Sequence, residues 1–450
     1  MAMTTARSPK VSGPIEARPG TVRIPRDRYT SPEFHRLEID AVWKRVWQMA
    51  CREDQVAAPG DFVEYTIGDQ SVLILRGGDD RVRAFPNTCL HRGNRLVSGC
   101  GNAGNELRCR YHLWAYNLDG SLKDIPDRNG FPGVEDAECQ LPEFHCDTWG
   151  GFVFVNFTED PEPLTEFLGP LVGQLAPYHL EKMVPTFSTT TPISANWKVV
   201  VEAFLEVYHV MGIHPQLLPM LDDVRTTFEN YETHSRMIVP FGVPSARIED
   251  DVTPADVLTA LLEAGGSQPM TDGDVHMDPV AMFSGMINDD GTLNLPEGMT
   301  VRDFIITMVK SIGLGQGLDY SGLTDDQMID DWHYHIFPNL VFNTHAGNFL
   351  FFRIRPNGDD PNSCLFDIET YQWIADPEEA RRKRATTDFA PERSRSFGVV
   401  IDQDLENLPG VQTGLRTSST HDYITISDQE TRIAKLHEVI DRHIGAYLGA

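Results

Sequence analysis

Two short stretches, "CLHRGNRL" and "CRYHLW", each set a cysteine beside a histidine. They supply Cys89 with His91 and Cys109 with His112, in the order Cys-x-His, seventeen residues, Cys-x2-His. Thiolate and imidazole both ligate zinc, and both ligate iron in iron–sulfur clusters. A zinc ribbon more often carries Cys-x2-Cys on each knuckle. Here each loop brings one ligand of each kind. That suits a two-iron cluster with thiolates on one iron and imidazoles on the other. Neutral imidazole in place of thiolate leaves such a cluster less negative, which raises its potential and lets it take electrons from a ferredoxin. On residue types alone, zinc stays open as the alternative.

A second group lies in "NWKVVVEAFLEVYHVMGIHP", which contains Glu206, His209 and His214. Read as a helix, it puts Glu206 and His209 three apart on one face. His209 and His214 are five apart, roughly 140° around a helix of ~3.6 residues per turn. One ion reaches both only if the helix ends or bends near Gly212, ahead of Pro215. Two histidines alone do not make a metal site, which needs several converging ligands. By the same criterion His333 and His335, which share one strand face, and His345 read as structural or surface residues.

The elements that must position these groups follow from periodicity. Residues 31–50 read as a helix, with Ser31 as its cap and Pro32 at its first position. Residues 61–157 are short alternating runs broken by turn pairs such as "GG" at 77–78 and "DG" at 119–120. This is a small all-β unit with both Cys/His pairs in its loops. Farther on, "TFSTTTPISANWKVVV" reads as a strand entering a helix. Residues 245–331 are rich in Gly, Asp and Met, with short helices at "PADVLTALLEAGG" and "TVRDFIITMVKSIG". The run "WHYHIFPNLVFNTHAGNFLFFRIRP" reads as strands with "CLFDIETYQWI" as an antiparallel neighbour. From about 395 the chain reads as helical, and "ARRKR" at 380–384 as a solvated helix face. Apolar "FSGMI", "MIVPF" and "LVFNTHAGNFLFF" are candidate pocket walls.

The chain has 450 residues and a formal net charge of −28. That balance argues against nucleic acid and anionic membrane surfaces as partners. No stretch approaches a membrane-spanning length, and the Pro/Gly-rich start lacks the apolar run of a secretory signal, so a cytoplasmic location is expected. Seven cysteines argue against a disulfide framework. Cys51, Cys100, Cys139, Cys146 and Cys364 read as small buried hydrophobes. Residues 76–110 hold seven arginines (76, 81, 83, 92, 95, 108 and 110) against Asp79, Asp80 and Glu106. This local positive patch suits an acidic ferredoxin or the acidic body of a neighbouring subunit.

"CLHRGNRL…CRYHLWAYNLDGSL" closely resembles the Rieske [2Fe–2S] motif of ring-hydroxylating oxygenases. The Arg-Gly after His91 and Trp114 after His112 belong to that version. The extra cysteine pair of the respiratory version is missing, and Leu113 stands where the family usually has Gly. The same family carries a Glu/Asp-x2-His-x4-His segment after Asn-Trp-Lys. The resemblance implies that Cys89, His91, Cys109 and His112 hold the cluster, and that His209 and His214 hold a mononuclear Fe(II). "VVIDQDLENLPGVQTGL" resembles the segment of the third ligand, which points to Asp404, with Asp402 as the alternative. The implied fold is α+β. A small all-β Rieske domain (43–158) precedes a helix-grip (START-like) catalytic domain with an antiparallel sheet (159–450), and an N-terminal arm and helix (1–42) pack on the latter.

The implied activity is that of a terminal oxygenase large (α) subunit. It would use O2 and electrons from a ferredoxin or reductase to cis-dihydroxylate or monooxygenate an apolar, aromatic-type substrate. Glu206 departs from the aspartate usual in ring dioxygenases and keeps a quaternary-amine substrate, or O- or N-demethylation of an aromatic, as the alternative. In the family this carboxylate bridges a Rieske histidine of one subunit, here His112, and an iron histidine of the next, here His209, in a trimer with or without a β-subunit. Two other classes compete: an electron-transfer Rieske protein, and a helix-grip binding protein with a vestigial cluster.

Overall fold

The computed structural model describes residues 13–266, 284–288, 290, 292–417 and 422–449. The chain divides into two units, residues 38–172 and residues 1–37 with 173–450.

The smaller unit is built from short antiparallel strands. Strands β1 (Gln48–Arg52), β2 (Asp61–Ile67), β3 (Gln70–Arg76), β4 (Val82–Pro86) and β5 (Cys100–Asn102) come first. Then follow β6 (Leu107–Arg108), β7 (Ala115–Tyr116), β8 (Leu122–Asp124), β9 (His145–Trp149) and β10 (Phe152–Asn156). They form three sheets, ordered β4-β3-β2-β5, β8-β7-β6 and β9-β10-β1. Leu73, Leu75, Phe85, Trp114 and Tyr116 fill the core, and Cys89 and Cys109 belong to the same buried cluster. The "DG" turn is real: Gly120 has φ +84°, and a Cβ there would lie 2.7 Å from the Phe85 ring.

The larger unit carries an eight-stranded sheet. Its strands are β11 (Met183–Ile193), β12 (Thr227–Asn230), β13 (Ser235–Val239), β14 (Asp331–Ile336), β15 (Leu340–His345), β16 (Asn348–Pro356), β17 (Cys364–Trp373) and β18 (Asp388–Phe389). The order is β12-β13-β14-β15-β16-β17-β11-β18, antiparallel throughout except for β11 with β18. Helices α1 (Trp197–Ala203), α2 (Val210–Ile213), α3 (Pro254–Gly266), α4 (Val301–Gly315), α5 (Val399–Arg416) and α6 (Thr431–Leu448) accompany it. Asn196 caps α1 by accepting from the Lys198 N–H, and Thr300 and Asp303 cap α4 reciprocally. Among the described residues no helix is long and apolar enough to cross a membrane.

Several expectations need correction. The helix read over 31–50 starts as expected, with Ser31 Oγ accepting from the Phe34 N–H. It runs only over Pro32–Glu38, followed by a wider turn over Ile39–Trp43, and Gln48–Arg52 is a strand. The fully buried strand residues "QMACR" pair with β10, and that pairing overrides the apolar helix period. The C-terminal region contains a strand, Tyr423–Ile426, paired with Thr21–Pro25. Cys100 is exposed and Cys146 half-buried, so only Cys51, Cys139 and Cys364 of the five are buried, and none is in a disulfide.

Candidate metal centres

Two matching turns bring the Cys/His pairs together. In the first, the Cys89 N–H donates to the Asn94 carbonyl and the Gly93 N–H to the Cys89 carbonyl. In the second, the Cys109 N–H donates to the Trp114 carbonyl and the Leu113 N–H to the Cys109 carbonyl. Gly93 and Leu113 are thus equivalent positions, with φ of +72° and +62°. A left-handed backbone suits glycine and strains leucine, so the turn itself accounts for the expected Gly at 113. Leu113 keeps the turn but is half exposed.

The ligand groups converge at these turns. The His91 and His112 rings are 4.6 Å apart, and His91 stacks on Trp114 at 4.9 Å and 6°. His91 Nδ1 is buried with no hydrogen-bond partner among the described residues. A buried orphan imidazole nitrogen beside a second imidazole and two buried cysteines fits a metal cluster, which would take that lone pair. Two more groups, not singled out from sequence, serve the sulfurs. Tyr116 Oη lies 3.4 Å from Cys89 Sγ and accepts from the Leu90 N–H at 3.0 Å, which leaves its own proton for the sulfur. Asn94 Nδ2 donates to Cys109 Sγ at 3.6 Å. The available signal was proximity alone, since Tyr116 is four residues past His112.

The arginine patch is thinner than its count. Arg76 is buried and donates to the Val56 carbonyl, and buried Arg83 pairs with Asp79. Arg95 pairs with Glu64 and Arg108 with Glu106. Arg81, Arg92 and Arg110 have no carboxylate partner among the described residues and are exposed.

In the larger unit the helix expected to run through Glu206 breaks earlier than Gly212. Helix α1 ends at Ala203, and only Val210–Ile213 are helical beyond it. Glu206 is the physical reason. Its Oε2 accepts from the His209 backbone N–H at 3.0 Å, and its Oε1 takes His209 Nδ1 at 2.6 Å. The carboxylate thereby occupies an N–H that a continuous helix would spend on its own ladder. His209 and His214 then flank the short α2, with rings 5.3 Å apart and nearly perpendicular.

Helix α5 supplies the third donor. Asp404 Oδ1 lies 2.9 Å from His214 Nε2 and 3.8 Å from His209 Nε2. One ligand atom from each of the three residues lies within 4.8 Å of the others. Donors on one ion, each bonded at about 2.1 Å, are about 3–4 Å apart, within a side-chain rotation of this spacing. Both histidines have Nδ1 engaged from behind, His209 by Glu206 and His214 by Gln403 Oε1 at 2.8 Å. That arrangement fixes the tautomer and aims each Nε2 lone pair at the ion, so the residues fit a two-histidine, one-carboxylate site. Gln403 was not anticipated from sequence. Asp402, the alternative, accepts instead from the Phe397 N–H and Ser396 at the start of α5 and takes no part. Burial opposes charge on His209, but the bond and charge of Glu206 and the charge of Asp404 outweigh it and raise its pKa.

This cluster lines a cavity of about 1010 Å³. Phe204, Phe241, Phe349, Phe352 and Tyr371 supply aromatic faces. Of the expected walls, Met237, Val239 and Phe241 of "MIVPF" and much of "LVFNTHAGNFLFF" line it. Within "FSGMI", Phe283 lies outside the described residues. His333 and His345 line the cavity, whereas His335 bonds the Pro338 carbonyl at 3.2 Å. Exposed Arg382, Lys383 and Arg384 of "ARRKR" also line it.

Comparison with known proteins places these geometries. Residues 179–446 match the model of the ring hydroxylating alpha subunit catalytic domain, and residues 46–144 match the Rieske [2Fe-2S] domain. The chain belongs to the ring-hydroxylating alpha subunits. As a family member it combines a Rieske [2Fe–2S] domain with a catalytic domain for mononuclear iron, on an α+β fold. It is 34% identical over 214 residues to the glycine betaine monooxygenase oxygenase subunit of Pseudomonas aeruginosa, covering 47% of this chain and 49% of that one. It is 31% identical over 223 residues to the carnitine monooxygenase oxygenase subunit of Acinetobacter pittii, covering 49% and 59%. The match thus spans about half the length of these curated relatives. The crystal structure of the quaternary ammonium Rieske monooxygenase CntA with L-carnitine shares the fold at 18% identity and TM-score 0.64, covering 94% of this chain and 95% of that one.

Proposed function

We propose that this chain is the terminal oxygenase component of a Rieske non-heme iron system and that it monooxygenates a small organic substrate. The observation that carries this reading is the triad of His209, His214 and Asp404 on the wall of a large, mostly apolar cavity. A pure electron carrier has no use for such a cavity, and a binding protein has no use for the triad. Bound at these sites, the cluster would supply single electrons and the ferrous ion would activate O2.

The chain's own residues do the rest. Cys89, His91, Cys109 and His112 would hold the cluster, and His209, His214 and Asp404 the single iron. Gln403 and Glu206 engage Nδ1 of the two histidines and so orient each ring with Nε2 toward the metal site. Each Glu206 oxygen retains lone-pair capacity beyond its bond to His209, so the carboxylate can also accept from His112 of a neighbouring chain in a trimer. The exposed arginines 81, 92 and 110 favour an acidic ferredoxin or reductase as donor.

The curated relatives named above act, by name, on glycine betaine and carnitine, which favours quaternary-amine oxidation over the aromatic-hydrocarbon reading. A permethylated ammonium has no N–H to donate, so aromatic faces are what hold it, and five rings line the cavity.

Metal analysis and turnover test the reading together. The purified protein should carry two cluster irons and one separate iron per chain. His214→Ala should lose only the separate one, and Cys89→Ser only the cluster. Glu206→Gln should keep all three yet slow substrate-dependent O2 uptake by about 10- to 100-fold. Zinc at 209, 214 and 404, or full turnover in Glu206→Gln, would refute these assignments.

A further inference from the structure

One wall of the cavity does not match the rest of it. Strands β14 and β15 turn Asp331, His333, Asn343 and His345 inward, among mostly apolar lining residues. His333 stands directly across from Asn343 in the strand register, and Asp331 lies 3.8 Å from His345. Asp331 and His333 are both more than nine-tenths buried. Among the described residues neither Asp331 nor Asn343 has a side-chain hydrogen bond, and Asp331 Oδ1 and Asn343 Nδ2 are sealed from solvent, so both residues line the cavity through their other atoms. Polar side chains that line a cavity without spending their hydrogen bonds on the protein are rare, and a run of them marks where a ligand's polar end belongs.

His333 fixes the sense of the wall. Its Nδ1 lies 3.1 Å from Nη1 of Arg432, which is held in turn by Ser235 Oγ at 3.0 Å. Arginine has no acceptor, so Nδ1 must be the acceptor and the proton sits on Nε2. Nε2 has no partner among the described residues and is therefore a donor aimed into the cavity. Turning the Asn343 amide about its last bond brings Nδ2 to the cavity as a second donor across from it. The Arg432 guanidinium stands behind His333, and Arg382, Lys383 and Arg384 line the cavity's exposed end on a chain of net charge −28. Two donors, a buried cation behind the first and a basic approach select an anion with oxygen acceptors.

We propose that His333 and Asn343 anchor a carboxylate carried by the substrate and so set which carbon faces the metal triad. Asp331 completes the anchor. Burial pushes its carboxyl up to about 7 against the opposing charge of Arg432, so beside a bound carboxylate it is protonated and donates. The inference rests on the oxygenase reading, because it orients the substrate of that same cavity.

Binding tests it without turnover. Calorimetry on the iron-loaded protein would compare three probes of one skeleton: benzoate, toluene and benzyltrimethylammonium. Asn343→Leu should weaken benzoate about tenfold and leave toluene and the cation unchanged, and His333→Gln should act in the same direction. Asp331→Asn, which keeps a donor, should leave benzoate within about twofold. Equal effects on all three probes, no detectable benzoate binding, or selective loss of the cation in Asp331→Asn would overturn the anchor. Iron content measured on the same samples separates this failure from failure of the oxygenase reading, which would appear as a missing third iron.

Discussion

At the scale of single residues, the two centres share one device: a neighbour holds Cys89, Cys109, His209 and His214 from behind. Tyr116 illustrates it best. Its hydroxyl receives the Leu90 N–H and so has its proton free for Cys89 Sγ at 3.4 Å. A hydrogen bond to a cluster sulfur stabilises the reduced, more negative state and raises the potential. Tyr116→Phe keeps the ring in its fully buried site and removes that bond, together with the acceptor of the Leu90 N–H. At about 1 kcal/mol for the bond, the midpoint potential should fall by roughly 40 mV for one electron, with the cluster intact. Redox titration followed by EPR of the reduced cluster measures it, and an unchanged potential would remove Tyr116 from cluster tuning. The ligands themselves were legible in the sequence because cysteine and histidine at fixed spacing have few other uses. Tyr116, Asn94 and Gln403 were not, because tyrosine and amides are common and their roles depend on the direction of one bond.

At the scale of elements, the sheet behind the cavity must hold its register against several buried charges. Asp367 does much of this. It accepts from Arg353 Nε at 2.6 Å, Arg355 Nη2 at 3.0 Å and Thr190 Oγ1 at 2.6 Å, tying β16, β17 and β11. Burial alone would raise its pKa, but the two guanidiniums and the hydrogen bonds together hold it down to about 2. A folded-state pKa below the unfolded value gives stability that is present above about pH 4 and lost as pH falls through 2. The shift corresponds to roughly 2 kcal/mol, so urea midpoints should drop between pH 5 and pH 2.5, and less so in Asp367→Asn. At pH 7 that variant should itself lose about 3–5 kcal/mol, since it takes the carboxylate away from buried Arg355. A midpoint in Asp367→Asn equal to that of the wild type at pH 7 would show the cluster to be dispensable. The strands of this sheet were readable from their apolar runs. The break between α1 and α2 was misplaced because it comes from the Glu206 side chain taking a backbone N–H, and helix periodicity carries no trace of that contact.

At the scale of the whole molecule, the proposal places electron transfer between chains. Two observations make this physical. Glu206 binds His209 yet keeps acceptor capacity, and His112 has no hydrogen-bond partner among the described residues of its own chain. In the proposed ring each chain would present its cluster to the next chain's iron, which makes the contact head-to-tail and every protomer both donor and acceptor. This arrangement predicts complementation between two dead variants. Cys89→Ser lacks the cluster and His214→Ala lacks the single iron, so neither turns over alone. Co-assembled from an equal mixture, a junction works only where a His214→Ala cluster abuts a Cys89→Ser iron. Random mixing makes about a quarter of junctions competent in a ring of identical contacts, so substrate-dependent O2 uptake should return to about a quarter of the wild-type rate per chain. Transfer within one chain gives none at any mixing ratio, since no single chain then holds both centres. Mixing after assembly, without subunit exchange, should also give none, which separates a shared interface from diffusion of reduced protein between oligomers.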